Sequence, residues 1–157
     1  MLQIETPLAA VPAANPPAPA NNDAARSDDG DKLAPIHQPF PELIGVEITE
    51  ATPQRVRAQL RVRAELCRSG HTMHGGATMA FADMVASIGA FLNLPEGAAT
   101  TTIESKTNFI SAAKEGSVVE AESVPLHAGR RSSVWQTSLR REDGKLVAVV
   151  TQTQMVI

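Results

Sequence analysis

Residues 70–94 read GHTMHGGATMAFADMVASIGAFLNL, and the reading of this stretch decides the fold. From about Gly75 the apolar side chains Ala77, Phe81, Met84 or Val85, Ile88 and Phe91 or Leu92 recur at helical spacing. The only polar side chains inside the run are Thr78, Asp83 and Ser87, so other parts of the protein must cover the helix on nearly every side. Pro95 and Gly97 then stop it.

Working outward, residues 54–63 alternate Val56, Ala58, Leu60 and Val62 with polar partners, the period of a strand with one buried face. Residues 43–52 before it, and 100–109, 118–125, 132–141 and 146–157 after it, read as further strands. The last two are joined by Glu142-Asp143-Gly144-Lys145, a hairpin signal, and Gly129 marks a turn between late strands. Two strands, one buried helix and four strands make an α+β order. Without helical crossovers the sheet is expected to be mostly antiparallel, with its curved face wrapped around the helix.

The 157 residues suit one domain, and 43% apolar with 20% charged residues is the balance of a globular core. Eight of the eleven prolines fall within the first 41 residues, among Ala, Asn and Asp. Such a segment buries too little apolar surface to offset its ordering entropy. Residues 1–38 are therefore read as a disordered tail and 39–157 as the domain, small enough that association would help it. The tail carries no basic n-region with an apolar run and no Arg-rich amphipathic pattern, and no stretch approaches the roughly 20 apolar residues of a membrane span. Cys67, the single cysteine, allows no internal disulfide and no structural zinc site, which agrees with a cytoplasmic location. A net charge of −3 argues against nonspecific nucleic-acid binding.

The chemistry concentrates at the start and middle of the helix. Gly75 and Gly76 at a helix start expose backbone N–H groups, which favour an oxygen gaining negative charge, such as a thioester carbonyl becoming tetrahedral. The plainer alternative is tight packing at a loop-to-helix turn. Asp83 is costly in an apolar helix unless it has partners or a task, and Ser87 lies one turn on, on the same face. The carboxylate can attack a carbonyl or deprotonate a water that Ser87 orients; equally, it can be tied to a neighbouring backbone or to an arginine across an interface. Gly75 and Asp83 are eight residues apart, about 12 Å along a helix. A single thioester carbon cannot touch both, so a shared site requires two chains with antiparallel neighbouring helices, a two-fold dimer.

His74-Gly75-Gly76, six residues and then Asp83 resemble the signature of the phenylacetate-pathway (PaaI-like) branch of hot-dog-fold acyl-CoA thioesterases, within the 4-hydroxybenzoyl-CoA thioesterase superfamily. Thr102 to Phe109, Gly116, Gly129-Arg130-Arg131 and Asp143 to Ala148 are similar to that family's later strands in order and spacing, so the resemblance covers about residues 40–157. It implies an α+β hot-dog fold and hydrolysis of an acyl-CoA, with an aromatic or medium-chain acyl group, to free acid and CoA. No metal or organic cofactor is implied. The Gly75 N–H would polarise the thioester carbonyl, and Asp83 of the partner subunit would be nucleophile or general base. His74 and Thr102 fit supporting positions, and Gly76, Asn108, Gly129, Arg130 and Arg131 are the candidate CoA contacts. Two guanidiniums beside a flexible turn suit phosphates, although paired basic residues in a hairpin are commonly a solvated surface. The family often has Asn where this chain has Arg68, six residues before His74; Arg68 is a candidate partner for Asp83. The implied assembly is a homodimer, extending to a homotetramer.

Other chemistries fit less well. His71 and His74 have an H-x-x-H spacing but precede the helix, with no Glu between them, which disfavours a metal site. There is no G-x-S-x-G elbow, P-loop or dinucleotide fingerprint. Cys67 reads as a small residue at a strand end, and Trp135 as packed against the sheet. An enoyl-CoA hydratase would need a differently spaced Asp and His pair. A hot-dog protein that binds or senses acyl-CoA without cleaving it is the alternative, and it would have no use for Asp83.

Overall fold

The computed structural model describes residues 39–157; the expected tail, 1–38, lies outside the described residues. In chain order the elements are a short helix α1 (Pro39–Ile44), strands β1 (Val46–Thr52) and β2 (Arg55–Arg61), a single 3-10 turn (Ala64–Leu66) and two-residue strands β3 (Cys67–Arg68) and β4 (Thr72–Met73). The long helix α2 (Gly75–Leu92) follows, then β5 (Thr100–Phe109), β6 (Val118–Ala128), β7 (Ser132–Arg141) and β8 (Leu146–Val156). Among the described residues six strands form one antiparallel sheet in the order β1-β2-β6-β7-β8-β5, and β3 pairs with β4. The expected α+β hot-dog fold is what the chain adopts.

The core lies between the sheet and α2, which touches all six strands. Alternation puts Val56, Ala58 and Leu60 of β2, Val119 and Ala121 of β6, and Trp135 and Leu139 of β7 on the inner face, all at most 2% exposed. Against them α2 buries Phe81, Ala82, Val85 and Ile88. Phe81 alone stabilises the fold by about 2–3 kcal/mol. Trp135 packs under α2 with Ala86 and Ala90, and its indole N–H donates to Ser133 Oγ at 3.0 Å, as expected of a tryptophan packed on the sheet. A Cβ on Gly89 would sit 2.5 Å from the Trp135 ring, so only glycine lets helix and indole approach this closely.

Four sequence expectations need correction. Leu43 and Ile44 belong to α1 rather than to the first strand, because proline is tolerated in a helix's first turn and Pro39 and Pro41 begin this one. Strand β6 continues past Pro125 to Ala128, the proline being accommodated at a register shift between Pro125 and His127. The buried helix ends at Leu92, two residues early, where the Asn93 side chain donates to the carbonyls of Gly89 and Pro53. Finally, α2 with its 18 residues is long and apolar enough to cross a membrane, contrary to the expectation that no stretch comes near; here it is the core helix, covered by the sheet.

Candidate active site

Two places on α2 carry the candidate chemistry. At the helix start, β3 and β4 brace the approach, and the backbone N–H of His74 donates to Leu66 O at 2.8 Å. His74 is the N-cap: its Nδ1 accepts from the Gly76 N–H at 2.9 Å. The Gly76 amide is therefore engaged within the chain and is not free for a ligand. The Gly75 N–H has no acceptor among the described residues. Gly75 borders a cavity of about 330 Å³ that Arg68, Thr72, Phe109 and Ile110 also line, and a Cβ on it would stand 3.2 Å from the Phe109 ring.

Asp83, two turns on, is half-buried and faces different partners. Its Oδ1 accepts from Thr102 Oγ1 at 2.9 Å and from Gln152 Nε2 at 2.7 Å. Gln154 Nε2 donates to Thr102 Oγ1 at 2.9 Å and to Ser87 Oγ at 3.0 Å, and Gln154 Oε1 accepts from Thr100 Oγ1 at 3.3 Å. Among the described residues Asp83 Oδ2 accepts nothing. A cavity of about 470 Å³ opens here, with Phe40, Met84, Ile88 and Phe91 on its apolar side and Asp83, Ser87, Thr102 and Gln154 on its polar side.

Thr102 thus bonds Asp83 directly and Ser87 lines the same cavity, bonded to Gln154, whereas Gly75 and Asp83 stay at separate cavities of one chain. Arg68 does not reach Asp83 within the chain. It is exposed at the Gly75 cavity and among the described residues donates only to Ser69 O, at 3.5 Å, because β3 holds it beside the helix start. Asn108 is exposed on β5, next to Phe109. Gly129, Arg130 and Arg131 form the exposed β6–β7 turn; Gly129 lines a small cavity of about 140 Å³ that shares Thr100 with the Asp83 cavity. His71 pairs with Glu115 at 2.6 Å while His74 caps α2, so the two rings have separate duties. Burial, and then Glu115 and Glu65, push the Cys67 thiol up from its ordinary value, the opposite of an activated thiolate.

Gln152 and Gln154 are the site residues that sequence reasoning missed. They share the inward phase of β8 with Val150, and a polar side chain on the buried phase of a strand is the signal that would have found them.

The sequence pattern of the thioesterase superfamily matches residues 70–148, from the loop before α2 into β8. This chain belongs to that superfamily. A curated relative, Rv1847 of Mycobacterium tuberculosis, is 32% identical over 123 residues, which cover 75% of this chain and 87% of the relative. Its solved structure superposes with a TM-score of 0.73 at 30% identity, covering 76% of this chain and 97% of that one. The 1,4-dihydroxy-2-naphthoyl-CoA hydrolase of Listeria monocytogenes is 28% identical over 108 residues, 69% of this chain and 87% of its own. A solved variant of the phenylacetic acid degradation protein PaaI from Thermus thermophilus shares 26% identity with a TM-score of 0.70, covering 75% of this chain and 98% of that one. This thioesterase superfamily member therefore has the hot-dog fold, and belongs to the superfamily, that its helix-start motif implied.

Proposed function

We propose that this superfamily member hydrolyses an acyl-CoA thioester, with Asp83 as nucleophile or general base and the Gly75 N–H of a second chain polarising the carbonyl. The observation that carries the reading is Asp83 itself: a half-buried carboxylate at a cavity with an apolar side, with one oxygen held by two donors and the other without a donor among the described residues. In the general-base form, Oδ2 takes a proton from water, the hydroxide adds to the thioester carbon, and the carbonyl oxygen's charge is met by the Gly75 N–H. The C–S bond then breaks, and the proton held on Asp83 passes to the departing sulfur, giving acid and free thiol. In the nucleophilic form Oδ2 adds to the thioester carbon and the C–S bond breaks, leaving a mixed anhydride and the thiolate. Water then adds its OH to the acyl carbon and gives its other proton to the thiolate, which restores the Asp83 carboxylate.

The separation of the two cavities supports a homodimer. One side of α2 lies along β5: Thr102 near its start holds Asp83, and Phe109 at its end stands over Gly75. Strand β5 is a sheet edge ten residues long, and its own Ile103 and Phe109 are more than half exposed. A two-fold pairing of these edges would extend the sheet and set each Gly75 toward Asp83 of the partner subunit. Phe40, Met84, Ile88 and Phe91 suit an aromatic or medium-chain acyl group, and Arg130 and Arg131, which form no ion pair among the described residues, suit phosphates. A homotetramer and a cytoplasmic location complete the reading, the latter supported by the lone Cys67.

The test is free-thiol release from benzoyl-CoA, butyryl-CoA and lauroyl-CoA by the wild type and by Asp83→Asn. Turnover of at least one ester is expected, with kcat about a thousandfold lower in the variant and KM little changed. Binding of all three without thiol release would favour an acyl-CoA sensor instead.

A further inference from the structure

We propose that Gln152 and Gln154 of β8 are positioning residues, which determine the oxygen of Asp83 and the hydroxyl proton of Ser87 that are offered to the substrate; this rests on the thioesterase reading above. A carboxylate on a helix can turn about its last bond and present either oxygen. Here Oδ1 is held from two neighbouring strands, by Thr102 of β5 and Gln152 of β8. Thr102 and Gln154 are direct cross-strand partners, and Gln152 is two residues along β8 on the same face.

The donors and acceptors leave little choice of direction. A threonine hydroxyl has one proton and can aim it elsewhere; with Gln154 Nε2 donating to its oxygen, the Thr102 proton is sent to Asp83. The second proton of the Gln154 amide goes to Ser87 Oγ, so the Ser87 proton has no acceptor among the described residues and is left for the cavity. Gln154 cannot turn over without breaking this set, because both protons of its NH2 would leave the Thr102 and Ser87 oxygens. Gln152 must likewise turn its NH2 toward the acceptor-only carboxylate. That orientation strands Gln152 Oε1, which is buried without a hydrogen-bond partner among the described residues. A buried orphan acceptor is a cost that an apolar side chain of the same size would avoid. Service to Asp83 accounts for it.

The experiment uses the full-length protein and whichever of the three esters it turns over best. Gln152→Met should lower kcat about tenfold or more and leave KM within about twofold, because a displaced reacting group loses rate rather than affinity. Its melting temperature should be unchanged or higher, since the orphan acceptor is gone. The double variant Asp83→Asn/Gln152→Met should be no slower than Asp83→Asn alone, as expected if Gln152 acts through Asp83. Gln152→Glu should displace the pH–rate profile to higher pH, because two carboxyls about 2.7 Å apart must share a proton. Wild-type kcat in Gln152→Met, or an undisplaced profile in Gln152→Glu, would overturn the proposal while leaving the thioesterase reading intact. Asp83→Asn turning over like the wild type would remove that reading, and this proposal with it.

Discussion

The first turn of α2 is finished by its immediate neighbours in sequence, whereas its third turn depends on strands far along the chain. His74 caps Gly76 from two residues away, and the neighbouring Gly75 N–H is left open. Asp83 is held by Thr102, 19 residues on, and by Gln152, 69 residues on. The first arrangement forms wherever the helix forms. The second exists only once β5 and β8 have paired in register beneath the helix. A catalytic constellation drawn from both is thus half local and half tertiary, and within one chain its halves face different cavities.

The largest effect that sharpens this contrast comes from separating the halves genetically. Gly75→Pro removes the open N–H at a position where a helix accepts proline, and should cost about 10²–10³ in kcat. Mixed and allowed to exchange with Asp83→Asn chains, it should recover about a quarter of wild-type activity. Half the dimers are then hybrids, each with one intact site. No recovery despite proven exchange would place both groups at separate sites and break the comparison.

A smaller effect should appear at Gly89, where α2 serves neither half. Gly89→Ala drives a methyl into the Trp135 ring at 2.5 Å and should cost about 1–3 kcal/mol, seen as a lower melting temperature with kcat of the folded protein nearly unchanged. A large loss of kcat without loss of stability would show that the Trp135 contact reaches the site. The smallest effect is expected of His74→Ala, which removes a local cap worth about 1 kcal/mol, with a loss of activity below tenfold. A loss matching that of Gly75→Pro would mean that His74 meets the substrate directly.

By itself the sequence determined that one apolar helix is buried, that it begins at Gly75, that alternating strands cover it and that Asp83 and Ser87 share one of its faces. These follow from periods of 3.6 and 2 and from glycine and proline punctuation, all readable within a short window. Local signals were weaker at Leu43 and Ile44, where two apolar residues after prolines serve a helix or a strand equally, and at Pro125, where only pairing shows that a strand bends and continues. The tertiary structure alone decided that Arg68 stays beside the helix start, that Gln152 reaches Asp83, and that Gln154 joins Thr102 to Ser87. Hydrogen bonds between residues 50 to 70 positions apart depend on strand register and on the pitch of the helix above the sheet, and these are settled by packing the whole core, Trp135 against Gly89 included.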